Sequence, residues 1–490
     1  MNSMSFLGFH PIFNIFGNYI HNTKKTIITS MSNSNENIDI QREKVFKSSP
    51  LISLVSPCKI DDGIIQLKSN EEDEYIGFFD DQANDISYFI PASGSGSRMF
   101  QFIFDYLSKN KSSDEINLLI NSIEEFAFFN KFNEEIQNQI KNNELDTQEI
   151  LSLIINKSGL NLATLPKGLI PFHNVKNKAL NPFQEQILQG LELNKNAKFH
   201  FTIQEEFEKE IKESIAELNI DINSIDFSYQ DKNTNSFAFK LNGKVLLTNE
   251  NTPLTRPAGH GALIHNLNTI NSEYVFIKNI DNVQHFDKKN AALKTWKVLS
   301  GLLMKFKQDG RELLKNPSIE AFHEFNKKYN FCSDQIINEI SDLEEIKTML
   351  NRPSRICGMV KNEGLPGGGP FWTKQNNTIS KQIIEKAQIS DQAEQLNILS
   401  ESSHFNPVLI VASPFDMVGN KLDLTEFIDD ESYFIVNKNQ EGNDIKYMEL
   451  PGLWNGAMSN WNTIFIEVSS NSFSPVKSVT DLLKPLHKKL

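Results

Sequence analysis

Apolar residues along this chain fall into two patterns: short unbroken runs, and stretches where they return every three or four positions. These are the signatures of buried strands and of amphipathic helices. The run ISYFI, residues 86–90, has the length and the β-branched or aromatic content of a buried strand, and Pro91 with three small residues ends it. A helix is predicted from about Phe100 in FQFIFDYLSKN, and residues 114–156 are largely helical by period, with Leu118, Leu119, Ile123 and Phe126 among the recurring positions. AKFHFTI, 197–203, reads as a strand, EEFEKEIKESIAEL as a charged helix, and 225–229 and YVFIK, 274–278, as further strands. From Val283 to about Met349 the pattern is helical again, and the remainder mixes short strands with Gly- and Pro-rich turns. Strands alternating with helices predict an α/β protein with a mainly parallel sheet.

Residues 21–50 are polar and rich in Asn, Ser and Lys, the composition of a mobile linker, so order is expected to begin near Leu51. Before them, MSFLGFHPIFNIFGNYI, 4–20, is apolar but broken by His10, Pro11, Asn14 and Asn18. It lacks a basic n-region and a small-residue cleavage site and is too short to span a bilayer. It reads as a loosely attached extension, with Met31 an alternative start. The expected organisation is a poorly ordered extension over 1–50, an α/β core over 51–330 with a helical insertion at about 101–160, and a C-terminal part over 331–490.

The chain's 490 residues give room for a large core and more than one domain. Its net charge of −13 repels polyanions, which argues against nucleic acid as a partner. Cys58, Cys332 and Cys357 form no CxxC or Cys/His spacing, so neither a disulfide framework nor a zinc site is indicated, and a reducing cytoplasm is the expected setting. The excess of Phe, 36 against 9 Tyr, is read as coding bias.

Chemistry enters with PASGSGSRM, residues 91–99. A strand, a small-residue loop and then a helix place backbone amides and a helix N-terminus where an anion can sit; Gly94 and Gly96 allow close approach and Arg98 adds a fork of donors. A plain Ser/Gly turn before a helix reads the same way. The loop is neither a GxGxxG nor a Walker A motif. Four segments follow it in order: LPKGLIPFH with Lys167, RPAGHGAL from Arg256, NIDN from Asn279, and FSPVKSVTDLL from Phe473. Each has a bland alternative, such as a surface Lys beside a turn or Asp and Asn as turn formers.

Taken together, the five segments resemble the nucleotide-sugar pyrophosphorylases, especially those making UDP-glucose and UDP-N-acetylhexosamines, over about residues 86–487. CGMVKNEGLPGGGPFW and LPGLWNGAMSNWNTIFIEV more closely resemble an uncharacterised bacterial family described as a domain of unknown function. The resemblance implies a GT-A, Rossmann-like nucleotidyltransferase fold, three-layered, with a central mixed, mostly parallel sheet, a helical insertion and a smaller C-terminal α+β region. It also implies uridylyl transfer from a nucleoside triphosphate to a sugar 1-phosphate. The triphosphate would be held by Arg98 and the loop Ala92, Ser93, Gly94, Ser95, Gly96 and Ser97, and Lys167 would neutralise a phosphate. Gly259, His260 and Gly261 would meet the base and ribose, with Gln230 a further base contact. Asp281 would ligate Mg²⁺, Asn282 would sit near the sugar, and Lys477 would contact the sugar phosphate.

Arg98 and Lys167 are separated by the helical stretch, where the family keeps the loop and the Pro-Lys pair close. Two alternatives stay open: a glycosyltransferase that consumes a nucleotide sugar, although N-I-D stands where such enzymes usually carry D-x-D, and a non-catalytic nucleotide-sugar sensor or scaffold. His404, Asn406, Trp454 and Trp461 are candidates to line a sugar pocket, and 357–372 could form a lid; tight turns and core packing are the alternatives.

Overall fold

A computed structural model describes residues 35–47, 50–83, 85–109, 111–362, 364, 368–375, 377–440 and 442–489. The apolar segment 4–20, the alternative start at Met31 and part of the Gly-rich segment 357–372 lie outside the described residues.

A nine-stranded sheet forms the centre. Its strands, in chain order, are β1 (Lys59–Ile60), β2 (Gly63–Ile65), β3 (Ile86–Pro91), β4 (Lys198–Thr202), β5 (Ile225–Ser228), β6 (Tyr274–Ile277), β7 (Ser354–Lys361), β8 (His404–Ser413) and β9 (Asn462–Glu467). The spatial order is β1-β2-β9-β7-β8-β6-β3-β4-β5. β8 runs antiparallel to both neighbours, and every other adjacent pair is parallel. The sheet is therefore mixed and mostly parallel, as the sequence predicts. The four strands legible in the sequence, β3 to β6, are neighbours in it.

Strands covered on both faces read as continuous apolar runs because alternate residues enter different cores. In β3, Ile86, Tyr88 and Ile90 face one cluster with Phe199, Phe201 and Phe276, while Phe89 faces the other with Val275, Ile277 and Ile410. The first face is covered by helices α1 (Ser69–Gln82), α2 (Pro182–Leu193), α3 (Glu208–Ala216) and α4 (Asn290–Lys315). α4 packs along α1 and across β7 and β8. At Gly301 the two helices come so close that a Cβ would stand 1.8 Å from the Tyr75 carbonyl oxygen.

The helical insertion is present as short helices over Asp114–Asn121, Glu134–Lys141 and Thr147–Ile155, each started by a side chain that accepts a backbone N–H, from Ser113, Asn133 and Asp146. Leu119, Phe128, Leu151 and Ile154 build its core, which also takes in Met99, Phe100, Ile170, Val283 and Val476 from elsewhere in the chain.

The linker expected over residues 21–50 gives way, within the described part, to a helix at Asn35–Phe46. Ile38 and Val45 pack against Phe237, Phe239 and Met448, and Gln41 Oε1 accepts the Phe237 N–H at 2.9 Å. Only a few positions of this polar segment are buried, but they share one helical face. Three of the nine strands come from beyond residue 330, so the C-terminal part completes the central sheet, and its hairpin Phe434–Gln440 and Asn443–Glu449 pairs with Phe239–Lys240.

Leu151 is fully buried in the insertion core. Leu151→Ala is expected to cost about 2–5 kcal/mol, the usual range for such a cavity, seen as a lower urea midpoint with an unchanged slope.

Candidate functional site at the carboxyl edge of the sheet

Four of the five predicted segments meet where β3 and β6 end. Beyond β3, Ala92 donates its N–H to the Thr202 carbonyl at 2.8 Å, which aligns the loop with the end of β4. The Gly96 N–H donates to Leu165 O and the Lys167 N–H to Gly94 O, both at 3.0 Å, so loop and Pro-Lys segment form an antiparallel bridge centred on Ser95 and Pro166. The insertion between Arg98 and Lys167 is thus an excursion closed at its base. A Cβ at Gly96 would stand 2.9 Å from Leu165 O, whereas Gly94 faces open space.

The NIDN and FSPVK segments are latched in the same manner. Val476 donates its N–H to Asp281 O at 3.2 Å, and Ser474 donates its own to Asn282 Oδ1 at 3.0 Å. From α2, the buried Gln186 amide donates to the carbonyls of Asn279, Ile280 and Asn282, at 3.2 to 3.4 Å. The segments share one apolar footing. Met99 and Phe100 beside Arg98, Ile170 beside Lys167, Val283 beside Asp281 and Val476 beside Lys477 all enter the insertion core.

On this footing stands an ion triad. Asp281 Oδ2 accepts from Lys167 Nζ at 2.7 Å and from Lys477 Nζ at 2.9 Å. The Asp281 and Lys167 side chains are 9% and 13% exposed, and that of Lys477 is 63% exposed. Burial by itself raises the Asp281 carboxyl, but the two ammonium groups outweigh it and hold the group below its ordinary range. Burial lowers the Lys167 ammonium despite the neighbouring carboxylate. Asp281 Oδ1 is buried and has no hydrogen-bond partner among the described residues. No cluster of three or more His, Cys, Asp or Glu suited to a metal occurs among them. A single carboxylate oxygen suits Mg²⁺, which commonly completes its shell with phosphate oxygens and water.

Arg98 is exposed at the rim, and its guanidinium makes no hydrogen bond or ion pair among the described residues. Ser97 donates its N–H to Ser95 Oγ at 3.2 Å, folding the loop back on itself, and Ser93 is half-buried. The fifth segment is not bonded to the triad: among the described residues no hydrogen bond or ion pair joins Gly259, His260, Gly261 or Gln230 to it, while the following Asn266 donates to Ser228 Oγ and Tyr229 O at the end of β5. Gln230 donates to Thr234 Oγ1 at 3.4 Å. The His260 ring stacks on Trp454 at 4.2 Å and its Nδ1 accepts the Leu453 N–H at 2.9 Å; burial pushes its pKa down to about 4. The glycines of this segment make room for the chain itself. A Cβ at Gly261 would stand 2.2 Å from Pro451 O, and one at Gly259, where φ is +75°, 2.6 Å from Glu449 Oε2.

Some of the polar groups that the fold removes from water carry no sequence signal. Gln186 is one. Glu385 and Glu449 are others: burial raises the Glu385 carboxyl, with a bond from Trp454 partly offsetting it, and burial together with the charge of Glu385 raises that of Glu449. Thr202 Oγ1, at the end of β4, is buried without a partner among the described residues.

Residues 21–488 match a family described as a domain of unknown function, DUF4301. The chain belongs to the DUF4301 family. No curated protein matches its sequence. Among solved structures, this DUF4301 protein is similar to the uridine diphosphate N-acetylglucosamine pyrophosphorylase of Trypanosoma brucei, at 11% identity and a TM-score of 0.51, over 96% of this chain and 80% of that one. A putative UDP-N-acetylglucosamine pyrophosphorylase of Entamoeba histolytica matches at 13% identity and 0.45, over 88% and 84% of the two chains. A protein described as UDP-glucose phosphorylase, also of Trypanosoma brucei, matches at 12% and 0.46, over 91% and 74%. At such identities the likeness to the first is one of fold: the DUF4301 chain is built on the α/β plan of that pyrophosphorylase.

Asp281→Asn leaves the buried Lys167 ammonium without its counter-charge and is expected to cost about 3–5 kcal/mol, whereas Lys477→Met, at an exposed position, costs about 0–1 kcal/mol. The native Asp281 pKa is depressed, so its contribution is complete above the unfolded value of about 3.9 and fades as pH falls through the native one. Urea unfolding at a series of pH values is therefore expected to show the gap between wild type and Asp281→Asn closing in acid.

Proposed function

We propose that the chain transfers a nucleotidyl group, uridylyl in keeping with the family resemblance, from a nucleoside triphosphate to a sugar 1-phosphate with release of pyrophosphate. The observation that supports this best is the Lys167–Asp281–Lys477 triad beside a small-residue loop whose Arg98 is free.

A sugar phosphate oxygen forms its bond to the α-phosphorus as the bond from that phosphorus to the αβ-bridging oxygen breaks, and pyrophosphate leaves with that electron pair. The attacking phosphate oxygen has no proton to lose, so positioning and charge neutralisation carry the rate, without a general base. Arg98 and the amides of Ser93, Gly94 and Ser95 would face the charge that grows on pyrophosphate. Lys167 would neutralise a triphosphate oxygen, and Lys477, the exposed arm of the triad, a sugar phosphate oxygen. Mg²⁺, when bound, draws charge from the phosphate oxygens; Asp281 would hold it through Oδ1, with Asn282 beside it. The proposed setting is the cytoplasm, and among the described residues no helix is long and apolar enough to cross a membrane.

Pyrophosphate release over a panel of nucleoside triphosphates and sugar 1-phosphates with Mg²⁺ tests the reading. Turnover of at least one pair is expected. Silence across the panel with tight nucleotide-sugar binding would point to a sensor, and sugar transfer from a nucleotide sugar to a glycosyltransferase. Asp281→Ala should abolish turnover with the circular dichroism spectrum unchanged; near-normal activity would sink its role. Lys477→Met is expected to lower kcat by about 10²–10³, the scale for losing one preorganised donor to transition-state charge.

A further inference from the structure

Behind the triad lies a hydrogen-bonded chain of buried groups with no part in the mechanism above. His173 Nδ1 lies 2.9 Å from Glu185 Oε2, His173 Nε2 lies 2.8 Å from His487 Nδ1, and His487 Nε2 lies 2.7 Å from Ser474 Oγ. All four residues are at most 7% exposed. Their positions in the chain connect them to the site. His173 follows the Lys167 segment, Glu185 precedes the Gln186 that holds the carbonyls of 279, 280 and 282, and Ser474 opens the segment that ends in Lys477. Ser474 also donates its N–H to Asn282 Oδ1.

We propose that Glu185, His173, His487 and Ser474 are positioning residues that hold the Lys477 segment against Asp281 and Asn282, through a directional chain of hydrogen bonds set by a single proton on Glu185. The proposal rests on the reaction proposed above. A neutral imidazole has one N–H and one bare nitrogen, so a ring that donates on one side accepts on the other. With both rings neutral, all three bonds run in one direction. Either they run from the Ser474 hydroxyl to an ionised Glu185, or from a protonated Glu185 to the Ser474 oxygen, and the two arrangements differ by one proton.

The surroundings select the second. Burial pushes the His173 and His487 pKa values down to about 3, which keeps the rings neutral, and raises the Glu185 carboxyl well above its ordinary range. Among the described residues no Lys or Arg is paired with Glu185. Facing the chain, the 281–287 segment brings His285, whose ring lies 5.4 Å from that of His173 and lowers the Glu185 value, and Asp287, which raises it. His285 Nε2 donates to Asn174 O at 3.1 Å and its Nδ1 accepts the Asp287 N–H. From α2, Gln189 Nε2 donates to Glu185 Oε2 at 3.4 Å. Beside His487 stand Asp481 and Lys484, with opposing effects on its ring. Glu185 thus donates to His173 Nδ1, His173 to His487 Nδ1, and His487 to Ser474 Oγ.

Nitrogen-15 NMR of histidine-labelled full-length protein reads the direction without any substrate. Protonated Nε2 on both His173 and His487 at neutral pH is expected; protonated Nδ1 on both would overturn the wiring. A folded-state pKa raised at Glu185 gives stability that is complete below the unfolded value and is lost as pH rises through the folded one. Glu185→Gln cannot lose a proton, so its melting temperature relative to wild type should climb as pH rises from the unfolded carboxyl value of about 4.3 toward the raised folded one; a difference that stays constant from about pH 4 upward would count against the stored proton. For positioning, Ser474→Ala and Glu185→Ala should each lower kcat/KM for the sugar 1-phosphate at least tenfold while leaving KM for the nucleoside triphosphate within twofold. Glu185→Gln should restore most of the Glu185→Ala loss. Equal losses for both substrates, or no rescue by the amide, would reduce the chain to general structural support. Silence of wild type across the substrate panel would instead defeat the proposed reaction and the positioning role with it, while the tautomers would still decide the wiring.

Discussion

A carboxylate almost wholly removed from water has to be matched by positive charge, and Asp281 sets this requirement for the site. An unpaired charge in such a place costs several kcal/mol. Two ammonium groups meet it, from positions 167 and 477, neither of them near residue 281 in the chain. Satisfying one side chain therefore demands that three distant segments converge on the end of one strand. Most of what is distinctive about the local architecture serves that convergence: the bridge between loop and Pro-Lys segment, the latch of FSPVK on NIDN, and the Gln186 amide that gathers the carbonyls around Asp281.

The helical insertion looks peripheral in sequence and is central in structure. Its core holds the apolar neighbours of Arg98, Lys167, Asp281 and Lys477 together. Close packing transmits small displacements, so the spacing of these polar groups is set by how Met99, Ile170, Val283 and Val476 fit among the insertion's Leu, Ile and Phe side chains. The sheet supplies direction, and the insertion supplies distance.

Much of this was legible beforehand. β3 and β6 stood out because strands buried on both faces are unbroken apolar runs bounded by polar turns. β8 did not, since Pro407 argues against a central strand; the fold accommodates it where the pairing of β7 and β8 shifts register, with Val408 at φ +58° and the Asn406 side chain accepting the Val408 N–H. The helix at Asn35–Phe46 was hidden because its buried positions are few among polar neighbours. Order along the chain picked out Lys167, Asp281 and Lys477, which the fold brings into contact. It gave no hint of Gln186 or of the Glu185–His173–His487–Ser474 chain, because ordinary Gln, Glu, His and Ser acquire significance only through partners far away in sequence.

The same connectivity imposes an order of events during synthesis. Ile64 pairs with Phe465, and Asp281 waits for Lys477, so neither the sheet nor the charge balance can close until late segments arrive. Such long-range closure slows folding. It also acts as a check on assembly: a segment docked out of place would leave Asp281 with half its counter-charge, a penalty felt at the one spot where misplacement would matter most.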